Sequence, residues 1–360
     1  MEVLSFQEAL NKANIYTKKH LLLGNGFSIA CVPTIFSYNS LFAQADFSDM
    51  PEVEQAFKKL NTTDFEVVIK VLEFGSEIFP IYKPEVQDVI ELMKSHAHKL
   101  KERLIETIAK NHPANPSEIE EKKLIACRSF LANFIQVGGY VFYLNYDLLL
   151  YWTLMNSLDK SDEVLKCNDG FGRDAYVSGD HVEYSDYLSW QGKSSGQNVH
   201  YLHGAIHLFD TSGHLEKFSW VDSGVPLLQQ AKKALNEGKF PLFVSEGDTE
   251  KKLHRINRVP YLHYAYDSFK GVLGSVRNRT AGNTCIFTFG FSFSENDRHI
   301  YNEIATGRIK HIFVGLYGNP ASKENQRIIT TVLSLKSLRE SHPLEVTFYD
   351  AESANIWGNT

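Results

Sequence analysis

The sequence predicts an α/β fold: a Rossmann-like, mostly parallel sheet flanked by helices, with a helical insertion. Three observations predict it. Short apolar runs recur along the chain, and several end abruptly in a glycine, asparagine or histidine motif. Beyond residue 139, segments of helical apolar spacing alternate with those runs, as in parallel α/β folds. Between residues 50 and 138 the helical period stands alone, with no strand signal. The length of 360 residues and 43% hydrophobic content suit one large core. The expectation is a single domain over 1–360, with 50–138 as an insertion subdomain.

The elements follow in order. Phe6, Ala9, Leu10 and Ala13 give a short amphipathic helix within residues 1–18. Residues 20–23 are a buried strand that runs straight into Gly24-Asn25-Gly26-Phe27-Ser28, and Pro33 limits the helix that can follow. In the helical block, Pro51 opens one helix and Asp64 caps another through Phe65, Val68, Ile69 and Leu72. Pro84 starts a long one through Val86, Ile90, Ala97, Leu104 and Ile108. Asn115-Pro116-Ser117-Glu118 begins a last one, which Gly138-Gly139 stops. Residues 140–144 are a strand of β-branched and aromatic type, followed by a helix over 148–158. Residues 159–198, rich in Gly, Ser and Asp, read as a long irregular cover over a site. Further strands are expected at 199–202, 240–245, 284–289, 311–316 and 344–349, the second of these starting at its proline or lying at an edge. Helices at 260–277, 296–306 and 320–340 alternate with them.

Bulk properties exclude several functions. A net charge of −6 disfavours a protein whose task is gripping duplex nucleic acid. Lys251, Lys252, Arg255 and Arg258 form a local basic stretch, read as a solvated helix face. The cysteines Cys31, Cys127, Cys167 and Cys285 lack the close spacing of zinc ribbons, so no metal site is expected. No signal peptide is expected from the first residues, and no apolar stretch nears the roughly 20 residues needed to span a bilayer. The expectation is a cytoplasmic protein with reduced thiols and no membrane partner.

Four motifs stand at strand ends, where ligands bind in open α/β sheets. The 24–28 loop is either a phosphate cradle or a tight strand-to-helix turn; Ile29 occupies the third glycine position of the dinucleotide fingerprint. Asn145 either turns the chain or orients a water or ribose hydroxyl, while Asp147 caps the next helix or holds the ligand or its loop. His203, before Gly204, is the candidate catalytic histidine, with His200 and His207 as rivals. Gly290-Phe291-Ser292-Phe293-Ser294, followed by Asp297, offers a second glycine turn and a serine donor. Ser294 as a plain helix cap is the alternative.

In this order the four elements resemble the sirtuin-like fold family, over residues from about 20 to 316. The resemblance is nearer to bacterial, zinc-less sirtuin-like defence proteins than to deacylases, whose four-cysteine zinc module is missing here. Asp64-Phe65-Glu66 looks like a short acidic motif of that bacterial group. The resemblance implies that NAD is bound as substrate and hydrolysed, with NAD depletion during phage infection. It implies Gly24, Asn25, Gly26, Phe27, Ser28, Gly290, Phe291, Ser292 and Asp297 as NAD-binding residues, with Asn145, His203 and Asp147 as catalytic ones. It also implies gating by a homo-oligomer or by a partner such as a translocase-type ATPase or an Argonaute-type protein.

The chemistry agrees with those residue types. Ordinary glycosidases need two carboxyl groups because an alkoxide must be protonated as it leaves. Nicotinamide leaves as a neutral base, so no general acid is needed. An amide such as Asn145 can position water or the ribose, and His203 can act as base toward a hydroxyl or the water. Two other classes stay open: a non-catalytic sensor of NAD or an ADP-ribose-type ligand, and a protein deacylase or ADP-ribosyltransferase.

Overall fold

The computed structural model describes residues 2–155, 165–173, 175–178, 181–184, 187–211, 214–218, 225–275, 282–339 and 341–358. Its centre is a seven-stranded, all-parallel sheet. In chain order the strands are β1 (Val3–Leu4), β2 (Lys18–Leu23), β3 (Val141–Tyr143), β4 (Val199–Tyr201), β5 (Thr284–Phe289), β6 (His311–Leu316) and β7 (Glu345–Asp350). In space they run β4-β3-β2-β5-β6-β7-β1. Without the two-residue edge strand β1, this is the doubly wound Rossmann order.

Both faces of the sheet are covered, which is why its strands read as unbroken apolar runs. Register puts Phe287, Leu21 and Val141 on one face. There Phe6 and Phe134 pack on Phe287, from helices Phe6–Ala13 and Glu121–Ile135. Leu22, Phe142 and His200 lie on the other face, where Phe269 of helix Pro260–Leu273 meets Phe142 edge-on. The Ser5–Glu8 capping box starts the first helix where the apolar spacing places it.

The block between β2 and β3 holds helices and, among its residues, no strand. Asp64 caps helix Phe65–Tyr82 by accepting from the N–H groups of Glu66 and Val67. The long helix starts at Gln87 rather than at Pro84, because Val86 is its N-cap residue. Residues 156–158 of the helix expected over 148–158 lie outside the described residues; the helix seen is Leu149–Met155.

Three expectations are corrected. The described part of 159–198 is not irregular: it contributes Phe171–Gly172 and Leu188–Trp190 to a second, antiparallel five-stranded sheet, and Ala175–Ser178 pairs with His181–Tyr184. The strand at 240–245, seen as Pro241–Phe243, starts at its proline and lies at an edge, as expected, but the edge is that of the second sheet, where it pairs with Gly204–Thr211, and not of the parallel one. The basic stretch on helix Thr249–Arg258 is not a solvated face throughout, since Lys252 is 0% exposed and ion-paired. No described helix is long and apolar enough to cross a membrane.

Candidate functional site

The chain reverses its winding direction between β2 and β5, so a crevice opens outside the carboxyl ends of these two strands. A cleft of about 820 Å³ lies there. Tyr38, Glu66, Asn145, His203, Tyr317, Ser322 and Asn325 are among the residues that line it. Both glycine loops line it too, and they touch. Gly24 N–H donates to Phe289 O at 3.0 Å, and Gly26 N–H to Gly290 O at 2.9 Å. A Cβ on Gly26 would stand 2.5 Å from Gly290 Cα, so the contact requires glycine on both sides.

That contact alters the role expected of the first loop. Its Gly24, Gly26 and Phe27 N–H groups are all spent on main-chain acceptors, leaving few donors for a phosphate. The second loop is better suited. Gly290 and Phe293 both have positive φ, 64° and 53°. The main-chain N–H groups of Phe291, Ser292 and Ser294 meet no acceptor among the described residues. Behind them, Arg327 donates to Ser292 O at 3.0 Å and Phe293 O at 3.2 Å, holding the carbonyls away from the cleft. Free N–H groups on a turn of this type form an anion-binding concavity.

Beside the loops lies a buried network. Asp147 accepts from Ser28 Oγ at 2.5 Å, Tyr143 OH at 2.6 Å and Leu149 N–H at 2.9 Å. Asn145 Nδ2 donates to Ser28 Oγ at 2.7 Å and to Gly24 O at 3.1 Å. Both amide hydrogens are thereby used, so Asn145 has only its carbonyl oxygen to offer a ligand. Asp147 holds Ser28 and the strand end in place, and Ser28 in turn orients Asn145.

His203 follows β4 by two residues, at the turn into the second sheet. Gly204 takes φ +81° there, and a Cβ would stand 2.0 Å from Leu242 O. His203 Nε2 lies 3.0 Å from His299 Nε2, with the rings stacked. Burial, reinforced by Lys252, pushes His203 down to about 3, so the ring is neutral at neutral pH. Asp297 shares this corner. Lys252 Nζ is 3.1 Å from Asp297 Oδ1 and 2.8 Å from Glu66 Oε2. His203, Asp297 and His299 bring three donor atoms within 4.8 Å of one another, in the manner of a metal site. Lys252 already supplies a cation beside that set.

Burial raises Glu66 to about 7 despite Lys252, whereas Asp297, although burial works against its charge, is drawn down to about 2 by Lys252 and the histidines. Asp64 is raised by burial, as its cap role keeps it under the helix start.

Of the residues singled out from sequence, Asn145, Asp147, His203, Gly24, Asn25, Gly26, Gly290, Phe291, Ser292 and Asp297 line the cleft. Phe27 and Ser28 do not. Phe27 packs between Tyr143 and Trp357, and the Ser28 hydroxyl is claimed by Asp147 and Asn145. His200 and His207 are core residues, stacked on Phe142 and packed on Tyr151. Sequence reading took Lys252 for a solvated residue, missed His299, and left Glu66 without a role; the Asp64-x-Glu66 spacing was the available signal.

Residues 21–357 match the model of a family described as "Domain of unknown function (DUF4917)". The chain belongs to this DUF4917 family. No curated protein matches the sequence. The match begins within β2 and ends at Trp357, and so includes every cleft residue named above.

Proposed function

We propose that this DUF4917 protein is an NAD glycohydrolase that releases nicotinamide and ADP-ribose. The observation that carries the reading is the set of groups lining one cleft. The Phe291–Ser294 turn, with main-chain N–H groups that meet no acceptor among the described residues, lines it together with Asn145 and His203. A dinucleotide laid on the Rossmann crevice would put pyrophosphate on the Phe291–Ser294 turn and one ribose at Asn145 and His203.

In the reaction, the bond between ribose C1′ and the pyridinium nitrogen breaks. Its electron pair goes to the nitrogen, and nicotinamide departs neutral. The Asn145 oxygen accepts a hydrogen bond from the attacking water or a ribose hydroxyl. The water oxygen bonds to C1′ and its proton passes to solvent, while His203, its ring engaged by His299 and the Leu144 backbone, fixes the wall against which the ribose sits. Asp147 acts through Ser28 and Asn145 and does not touch the substrate. The resemblance to zinc-less sirtuin-like proteins supports the same chemistry and extends the proposal to antiviral NAD depletion. Destroying a central cofactor calls for a gate, and the reading includes one: a homo-oligomer, or a partner of the translocase-type ATPase or Argonaute-type class.

Chromatographic analysis of NAD incubated with the protein tests the activity. Nicotinamide and ADP-ribose in equal amounts, without a protein acceptor, are the expected products. Tight NAD binding without turnover would favour a sensor, and turnover that needs an acyl-lysine peptide or protein acceptor would favour a transferase.

A further inference from the structure

The cleft wall around Glu66 has a composition of its own. Asp64, Glu66 and Asp297 line it, together with Tyr38 and Tyr146. No lysine or arginine is among the described residues lining any part of the cleft. Lys252 is present but lies behind the wall, fully buried, and its ammonium is used on Glu66 and Asp297. Glu66 Oε2 faces Lys252, while its Oε1 has only Tyr146 OH, at 3.5 Å. That hydroxyl is committed to Val244 O at 2.6 Å. Glu66, 8% exposed and lining the cleft, therefore has one carboxylate oxygen held only by this long contact.

The placement is built by two matching helix starts. Asp64 caps the helix that carries Glu66, and Asp248 caps the helix that carries Lys252. Gly247 lets the second start approach the first, because a Cβ there would stand 2.5 Å from Glu66 O and from Lys70 N. Lys252 lies one turn into its helix, near the positive end, which is an unfavourable place for a cation. Two facing carboxylates outweigh that cost. Above about pH 7, where Glu66 is ionised, the triad with Asp297 and Lys252 is net negative, and it stands beside Tyr38 and Tyr146. Carboxylates and aromatic faces together are what recognises a delocalised organic cation.

We propose that this wall is a subsite for the cationic pyridinium end of the dinucleotide, with Glu66 as its specificity-determining residue. The inference rests on the NAD reading and adds that the site selects the oxidised, positively charged ring over the neutral reduced one. The same wall opposes the positive charge that spreads onto the ribose as the bond breaks.

Equilibrium binding at pH 8 tests it with three probes. A carbocyclic NAD analogue keeps the pyridinium charge but resists cleavage, NADH has an uncharged ring, and ADP-ribose has no ring. The wild type is expected to bind the carbocyclic analogue about tenfold more tightly than NADH, the effect of one charge near a partly screened carboxylate. Glu66→Gln is expected to remove that preference and leave NADH and ADP-ribose affinities unchanged. Equal wild-type affinities for the analogue and NADH would overturn the subsite while leaving the dinucleotide reading intact. That comparison needs no variant, so it decides even if Glu66→Gln does not fold. Equal weakening of all three probes by Glu66→Gln would also overturn it. Failure of all three probes to bind the wild type would remove the dinucleotide reading and this inference with it.

Discussion

Replacing Lys252 with methionine removes the cation from between two buried carboxylates while keeping most of the stem's volume. Its ammonium is 2.8 Å from Glu66 and 3.1 Å from Asp297, and the side chain is wholly inside the protein. At an effective dielectric of about 20, each attraction at such distances is worth roughly 5 kcal/mol, most of it offset by the desolvation of three charges. Removing the central partner keeps the desolvation and loses the attraction. The expected destabilisation of Lys252→Met is therefore about 3–5 kcal/mol at pH 8. Glu66 has an escape, because burial already favours its protonated form. At pH 5 it takes up a proton, one negative charge disappears, and the loss should shrink. Glu66→Gln leaves Lys252 paired with Asp297 and should cost less, about 1–3 kcal/mol. Urea unfolding at both pH values measures all of this. A Lys252→Met change below about 1 kcal/mol at pH 8, or one that does not vary with pH, would refute the triad as a buried electrostatic unit.

Other outcomes follow from the same geometry. Burial lifts the folded-state pKa of Glu66 from 4.5 to about 7, so its contribution to stability is full below pH 4.5 and declines as pH rises through 7. Glu66→Gln should flatten the fall in unfolding free energy across that window, and an unchanged slope would contradict the assignment. Asp297 runs the other way: its folded-state pKa drops from 3.8 to about 2, so its stabilisation holds above 3.8 and is lost as pH falls through 2. Gly290→Ala places a Cβ 2.5 Å from Gly26 Cα at a positive φ; it should cost about 3 kcal/mol in thermal or urea unfolding and abolish ligand binding. Asp147→Asn trades an acceptor of three hydrogen bonds for an amide whose NH₂ faces either the Ser28 hydroxyl or the Tyr143 hydroxyl and Leu149 N–H, so a loss of about 1–3 kcal/mol in urea unfolding is expected. Because Asp147 acts through Ser28 and Asn145, any activity should fall through kcat with little change in KM for NAD.

The parallel sheet was legible because strands buried on both faces leave continuous apolar runs, as at Thr284–Phe289 and His311–Leu316. The strand-end motifs were legible for a related reason: a glycine or histidine directly after such a run lands at the crevice. The second sheet was hidden because its strands are short, partly polar and set among Gly, Ser and Asp, with Gly204–Thr211 following β4 after only two residues. Lys252 could not be read at all. On a helix beside Lys251, Arg255 and Arg258 it has the pattern of a wet face, and its partners lie 186 and 45 residues away. The inward use of the Ser28 hydroxyl was hidden for the same cause, since nothing local shows that Asp147, 119 residues on, takes it. Glu66 was visible as a motif, but its aim into the cleft depends on the cap at Asp64 and the approach at Gly247.

The measurement that bears most directly on the central claim is NAD loss and nicotinamide release in cells. Induced wild type would be compared with Asn145→Ala and His203→Ala, with and without phage challenge and with the neighbouring genes present. The account predicts that the wild type depletes NAD with matching nicotinamide release, and that neither variant does. Intact NAD in wild-type cells under challenge, or depletion that persists in both variants, would contradict it.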